Sequence, residues 1–230
     1  MPSPKSTVRR EGADACPGVR AVWDAADGGL ARIRIPGGRL SADDLRVLAA
    51  GADDLGNGVL ELTSRANVQI RGLRPAGEHD LAARLRLAGL LPSDTHDRVR
   101  NIVASPLTGL VGREPDVSAL VADLDDALCA DPGLAALPGR FLFAIDDGSR
   151  DVGGLDADVT LSAVPDGYVL GLGGVDVGRT ADPVAAALAA ARGFLAERGD
   201  QCSPAWRLAE LADGPARVAA RIGPSLMHER

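Results

Sequence analysis

The sequence predicts an α+β protein built from two successive units, and three observations carry that expectation. From Leu60 to Gly72 every even position is apolar or small, and from Glu61 to Arg71 every odd one is polar, the two-residue period of half-buried strands. The segments ADDLRVLAAGADDL and GEHDLAARLRLAGL space their apolar residues for helices instead. A fresh series of short strands and helices begins at RVRNIVASPLTGL, where a second unit is expected. A chain of 230 residues with 46% hydrophobic content can bury a core in each unit.

The first unit is expected over residues 17–92, after a polar leader that ends near Pro17. LARIRI alternates as a strand and stops at the turn signal Pro36, Gly37, Gly38. Ser41 then has the chemistry of an N-cap, Asp43 and Asp44 suit the positive end of a helix, and Leu45, Leu48, Ala49 and Leu55 form its inner face. Gly56, Asn57 and Gly58 stop that helix, the alternating stretch follows as strands, and residues 77–90 close the unit as a second helix. The second unit, residues 95–200, opens with a short apolar strand, Ile102 to Ala104. Asp116 is positioned to cap VSALVADLDDALCA, RFLFAID reads as a strand, and DVTLSAV with YVLGLGG read as a hairpin around Pro165, Asp166 and Gly167. A helix from Pro183 to Arg198 ends the unit, and residues 201–230 read as a helical connector broken at Gly214 and Pro215.

Composition excludes several classes of function. A net charge of -7, a pI near 5.0 and 3% aromatic residues argue against a nucleic-acid binder. No apolar run is long enough to span a bilayer and the leader has no signal-peptide apolar region, so no membrane partner is expected and the cytoplasm is the default compartment. Lys5 is the sole lysine, which removes Schiff-base chemistry and a phosphate-loop lysine from the body of the chain. Cys16, Cys129 and Cys202 are too far apart for a disulfide framework or a self-contained metal site. His79, His96 and His228 have no partner at metal or triad spacing and read as surface residues, and Ser105 lacks a nucleophile-elbow context. Asp176 stands where a dinucleotide fingerprint starting at Gly171 needs its third glycine. The aspartates at 146, 147, 151, 156 and 158 read as turn formers.

The arginines are the candidate functional groups. Arg74, Arg84 and Arg86 fit a solvated surface. On the alternating stretch, Arg65 and Arg71 are expected to share a face with Asn67 and Gln69, and Arg100 and Asn101 follow. Guanidinium forks grouped with amides suit carboxylates or other oxyanions.

Three segments extend this reading. LTSRANVQIRG, RNIVASPLTG and LPGRFLFAIDDG resemble, in order, the T-x-R-x-x-x-Q, R-N-x-x-x-x-P-x-G and L-P-x-K-F signatures of the nitrite and sulfite reductase ferredoxin-like family. The resemblance implies a ferredoxin-like half domain followed by a nitrite/sulfite reductase-type α+β domain, as the first of two pseudo-twofold repeats with a tetrapyrrole between them. On that pattern Arg65, Asn67, Gln69 and Arg71 line the tetrapyrrole, and Arg100, Asn101 and Arg140 stand near its face. Cys16, Pro17, Gly18 and the arginine-rich wording most resemble the family's cobalamin-pathway branch, which uses dioxygen to hydroxylate a precorrin and form its lactone. Arg140 and Leu142 stand where the reductases carry two lysines for their oxyanion, which shifts weight towards that branch. The family's [4Fe-4S] ligands belong to the second repeat, which this sequence is expected to lack. The resemblance therefore implies an incomplete oxidoreductase that pairs with a second-repeat polypeptide, or a second copy of itself, around a precorrin or siroheme. A siroheme-dependent reductase fragment and a non-catalytic tetrapyrrole-binding module are the alternatives.

Overall fold

A computed structural model describes residues 16–112 and 114–223, so Lys5, most of the polar leader and His228 lie outside the described residues. The first sheet is antiparallel and contains β1 (Trp23–Ala25), β2 (Gly28–Ile33), β3 (Leu60–Leu62) and β4 (Val68–Leu73) in the order β1-β2-β4-β3. Helices α1 (Ala42–Leu55) and α2 (Gly77–Leu87) pack with it around Ala31, Ile33, Leu48, Ile70, Leu81 and Leu85. The N-cap at Ser41 forms as the sequence suggests. Its Oγ accepts the Asp44 N–H at 3.0 Å while the Asp44 carboxylate accepts the Ser41 N–H at 2.9 Å, which satisfies two otherwise orphaned donors. The buried stripe of α1 narrows to Leu48, Gly51 and Ala52, and Leu45, expected inside, stays half exposed. Gly51 sits directly against Leu81 of α2, where a side chain would crowd the contact.

The long alternation from Leu60 to Gly72 resolves into two strands and a turn. Thr63 donates its N–H to the Asn67 carbonyl, Ala66 donates to Thr63, and Ala66 takes a φ of 54°. Arg65 therefore projects from a turn and does not share a strand face with Arg71. An even period passes unbroken through a turn of this length, which hides the turn in the sequence.

The second sheet runs in sequence order through β5 (Ile102–Ala104), β6 (Phe143–Asp146), β7 (Val159–Val164), β8 (Gly167–Leu172) and β9 (Val175–Thr180). Its first three strands are parallel and the last three antiparallel. Helices α3 (Ser118–Ala130), α4 (Pro183–Asp200) and α5 (Gly214–Ile222) share its larger core, where Phe141 lies 5.2 Å from Phe143 and 4.9 Å from Phe194 between ring centroids. Asp116 accepts the Ser118 N–H at 2.9 Å, one residue outside the cap position itself. Gly173 and Gly174, with φ of 55° and 85°, form the tight turn between β8 and β9, a conformation that glycine reaches without strain. Gly214 and Pro215 begin α5 rather than break a helix, because proline at a first helical position loses no intrahelical hydrogen bond. His96, expected at the surface, is buried; its Nδ1 meets the hydroxyls of Ser93 and Thr95, and its Nε2 meets the Asp131 carbonyl. Among the described residues no helix is long and apolar enough to cross a membrane.

The cap gives a simple check on the first unit. Ser41→Ala removes one side of the capping box and is expected to lower stability by about 1 kcal/mol, read as a lower urea midpoint with an unchanged slope.

Candidate functional site

Two buried amides join the units. Asn67 Oδ1 accepts the Ile35 N–H at 3.0 Å, and its Nδ2 donates to Asn101 Oδ1 at 3.3 Å. Asn101 Nδ2 in turn donates to the carbonyls of Gly139 at 2.8 Å and Arg98 at 3.1 Å. Beside them Arg100 grips both oxygens of Asp125 at 2.8 and 2.6 Å and reaches the Leu90 carbonyl at 3.2 Å. The side chains of Asn67, Arg100 and Asn101 are thus buried and bonded within the chain, beneath any open surface.

A second buried cation lies nearby. Arg34 is 2% exposed and donates to the Arg98 carbonyl at 3.2 Å and the Pro17 carbonyl at 3.3 Å, while its Nη1 has no hydrogen-bond partner. Burial, with the neighbouring Arg32 charge, pushes its pKa down to about 10. Asp97 accepts the N–H groups of Val19 and Arg20 at 2.7 and 2.8 Å, so Arg34 and Asp97 together fix the segment that begins at Cys16.

The face of the first sheet that looks away from its helices is polar, and its side chains bond to one another. Arg32 donates to Gln69 Oε1 at 2.9 and 2.5 Å, and Gln69 Nε2 donates to Glu61 at 3.0 Å. Arg71 makes a two-pronged contact with Asp27 at 2.9 Å per bond, towards the β1–β2 turn, and holds the Asp27 carboxyl below its usual range.

At the other end of this face lies a cleft of about 350 Å³ lined by Cys16, Pro17, Trp23, Leu30, Arg32, Arg140 and Trp206. The sequence holds two tryptophans, and both line this cleft. The Arg140 guanidinium stands over the Trp206 ring, 5.0 Å from its centroid, a favourable cation–π placement. Arg65 Nη1 donates to the Arg140 carbonyl at 3.0 Å, and burial followed by the Arg207 charge lowers the Arg65 pKa.

Asp158 secures this wall. It is 1% exposed and accepts from Leu142 N at 2.8 Å, Leu208 N at 2.7 Å and Arg207 Nε at 2.7 Å, so it is a structural anion and not the turn former that its neighbours suggested. Leu142 itself is fully buried and does not face the cleft.

The structure thus brings together Arg65, Arg140 and, through Arg32, Gln69; it leaves Arg71 towards the far end of the face and Asn67, Arg100 and Asn101 in the interior. Arg32, Trp23 and Trp206 also line the cleft, and the sequence pattern does not single them out. Arg32 carried a signal, since it stands on the polar phase of LARIRI next to a strand already singled out. Among the described residues no group of three or more His, Cys, Asp or Glu could hold a metal ion, and the three thiols lie in separate segments.

Residues 24–88 match the nitrite/sulfite reductase ferredoxin-like half-domain family. The chain is also similar to the precorrin-3B synthase of a Sinorhizobium species, with 31% identity over 169 residues that cover 70% of this chain and 35% of the relative. It is also similar to the ferredoxin–nitrite reductase of Leptolyngbya laminosa, with 36% identity over 129 residues, 53% of this chain and 25% of the relative. The structure of the Mycobacterium tuberculosis NirA protein matches with a TM-score of 0.56 and 25% identity, over 76% of this chain and 33% of that one. The chain spans between 25% and 35% of the length of these relatives.

The role of Asp158 can be checked directly. Asp158→Ala leaves two buried N–H groups and the Arg207 guanidinium without their acceptor and is expected to lower stability by about 3–5 kcal/mol. In a Trp23→Phe background the same change should shift Trp206 emission to the red before global unfolding; unchanged emission would contradict the placement of Trp206 by this carboxylate.

Proposed function

We propose that the chain forms one wall of a tetrapyrrole site in an oxidoreductase of the precorrin-3B synthase type. The observation that carries this reading is the cleft in which Arg32, Arg140 and both tryptophans converge beside Arg65. Guanidinium groups match carboxylates in a two-pronged geometry, and indole rings offer flat apolar surface. A planar macrocycle fringed with acetate and propionate groups presents both features at once. The similarity to a precorrin-3B synthase over most of the chain supports the same choice.

Within this reading the residues have different tasks. Arg65 and Arg140 take carboxylates directly. Arg32 does the same, oriented by Gln69. Asn67, Arg100 and Asn101 hold the two units in register beneath them, and Arg71 engages a carboxylate at the margin only by exchanging Asp27 for it. The tryptophans exclude water from the apolar rim, which strengthens each charged contact. The tetrapyrrole and its metal or substrate state supply the redox chemistry when bound. Hydroxylation of a precorrin and lactone formation belong to the complete assembly, with cluster ligands contributed from outside the described residues by a second repeat or another chain.

A siroheme-dependent reductase is the second reading, favoured by the similarity to a ferredoxin–nitrite reductase. Burial of Leu142 weighs against it, because that position then offers no donor to a small oxyanion.

Titration with siroheme and with uroporphyrin, followed by quenching of the two cleft tryptophans, tests the site. Micromolar binding is expected, with Arg65→Ala and Arg140→Ala each raising Kd about tenfold or more, the loss of one charge-assisted contact. Arg71→Ala should have a smaller effect. Equal binding of the fully esterified porphyrin, or no quenching by either acid, would overturn the reading.

A further inference from the structure

A second cavity, of about 330 Å³, opens where the two units meet and shares no lining residue with the cleft. The first unit contributes Pro36, Gly37 and Arg39, and the second contributes Ala104 and one face of α3. On that face Ser118, Val121, Ala122 and Asp125 follow one another at helical spacing. The walls are chiefly apolar, with a charged side chain at each end. Arg39 stands with Ser118 at the first turn of α3, where the helix dipole is positive. It leans on the neutral Ser118 hydroxyl, and Asp116 acts on it through space. Asp125 lies at the other end, about 10 Å further along the helix, and Arg100 already holds both of its oxygens. The loop at the rim is apolar as well. Leu107, Leu110 and Val111 stand exposed around Thr108, which lines the cavity and is anchored to the Val117 N–H and the Pro115 carbonyl. Apolar side chains left in water beside a concave apolar site gain by burial when that site fills.

We infer that this cavity is a binding site for a small monocarboxylate with an apolar body, its carboxylate on Arg39 and its body against Val121 and Ala122. Size and lining both fit the usual pattern of a small-molecule site, a mostly apolar hollow with a few polar groups that fix orientation. Arg39 supplies the orienting cation, because its hydroxyl partner cancels no charge and leaves guanidinium donors for an incoming carboxylate. Asp125 sets the opposite requirement. A second carboxylate at that end would meet carboxylate oxygens, so dicarboxylates of similar length are rejected, whereas an apolar or hydrogen-donating end is accepted. Since Pro36 and Arg39 belong to one unit and Val121 and Ala122 to the other, the ligand also bridges the junction between them. The site does not depend on the proposed function, which concerns the other cleft.

The full chain is titrated with phenylbutyrate and with its neutral amide, and backbone amides are followed by NMR. Saturable shifts centred on Ala104, Val121 and Ala122 are expected, with a dissociation constant of about 1 mM, the range open to a ligand of this size. The neutral amide should bind about tenfold more weakly, the loss of one charge-assisted contact, and Arg39→Gln should remove the difference between acid and amide. Ala122 lies exposed on α3, so Ala122→Phe fills the cavity without entering the core and should abolish the shifts. Adipate, with a carboxylate at each end, should fail to compete. Arg140→Ala, in the other cleft, should change nothing. No saturation up to about 10 mM, equal affinity for acid and amide, shifts that survive Ala122→Phe, or shifts centred on Trp23 and Trp206 would each overturn the inference. A protein that takes up phenylbutyrate at this site but binds neither siroheme nor uroporphyrin would instead refute the proposed function and leave the carboxylate site standing.

Discussion

The hydrogen bond between Asn67 and Asn101 is the constraint on which the arrangement of the two units depends. Each unit has its own apolar core, and residues 36–38 of the first pack on β5 and α3 of the second. The two amides fix the register of that contact, because each uses donor and acceptor together: Asn67 binds the backbone after β2 and Asn101 binds the backbone before β6. In a buried setting a mismatched amide leaves an unpaired polar group, so few relative placements of the units are tolerated. The placement that results sets the turn bearing Arg65 against the carbonyl of Arg140. The cleft is a product of that docking, with β1 and β2 on one side and the Arg140–Trp206 pair on the other.

The same chain shows two ways of keeping guanidinium groups in a folded protein. Arg71, Arg86 and Arg100 are matched to Asp27, Asp94 and Asp125, so they add little net field. Arg32, Arg65 and Arg140 lean on a side-chain amide, a carbonyl and an indole, none of which cancels a charge. Positive potential therefore accumulates at the cleft although the whole chain carries a net charge of -7. An acidic protein with a cationic cleft attracts small anions locally while the rest of its surface repels polyanions.

Most of the fold was legible in the sequence because local signals were strong. The Ser41 cap, the Gly56 stop, the Ile102–Ala104 strand and the Pro183 helix start each rest on a few neighbouring residues, and all stand where those residues suggest. Strand β1 has three residues, too few to show a period, and β9 is interrupted by Gly178, so neither announces itself. The site was legible in part. Residue type pointed to the right chemistry, an arginine-bearing surface with amides, but a period of two cannot reveal which amides turn inward. Asn67 falls on the polar phase of the alternation and is nonetheless buried, since its task is to bind backbone at the junction. Trp23 and Trp206 come together only through tertiary structure, 183 positions apart in a chain that gives no local hint of the meeting.

Asp158 shows why burial of a charge is accepted at this point. Desolvation raises its pKa, and the Arg207 charge with two backbone N–H groups opposes that rise. A leucine-sized apolar residue would pack without the desolvation penalty, yet it could not collect three donors from two distant segments. The carboxylate ties Leu142, at the entrance to β6, to Leu208, beyond α4, and Trp206 lies two residues from the second anchor. Glu197 separately ties α4 to α5 through Arg217 and Arg221. What the link adds is a fixed position for an aromatic ring over Arg140. The buried charge is thus best understood through the wall it holds in place.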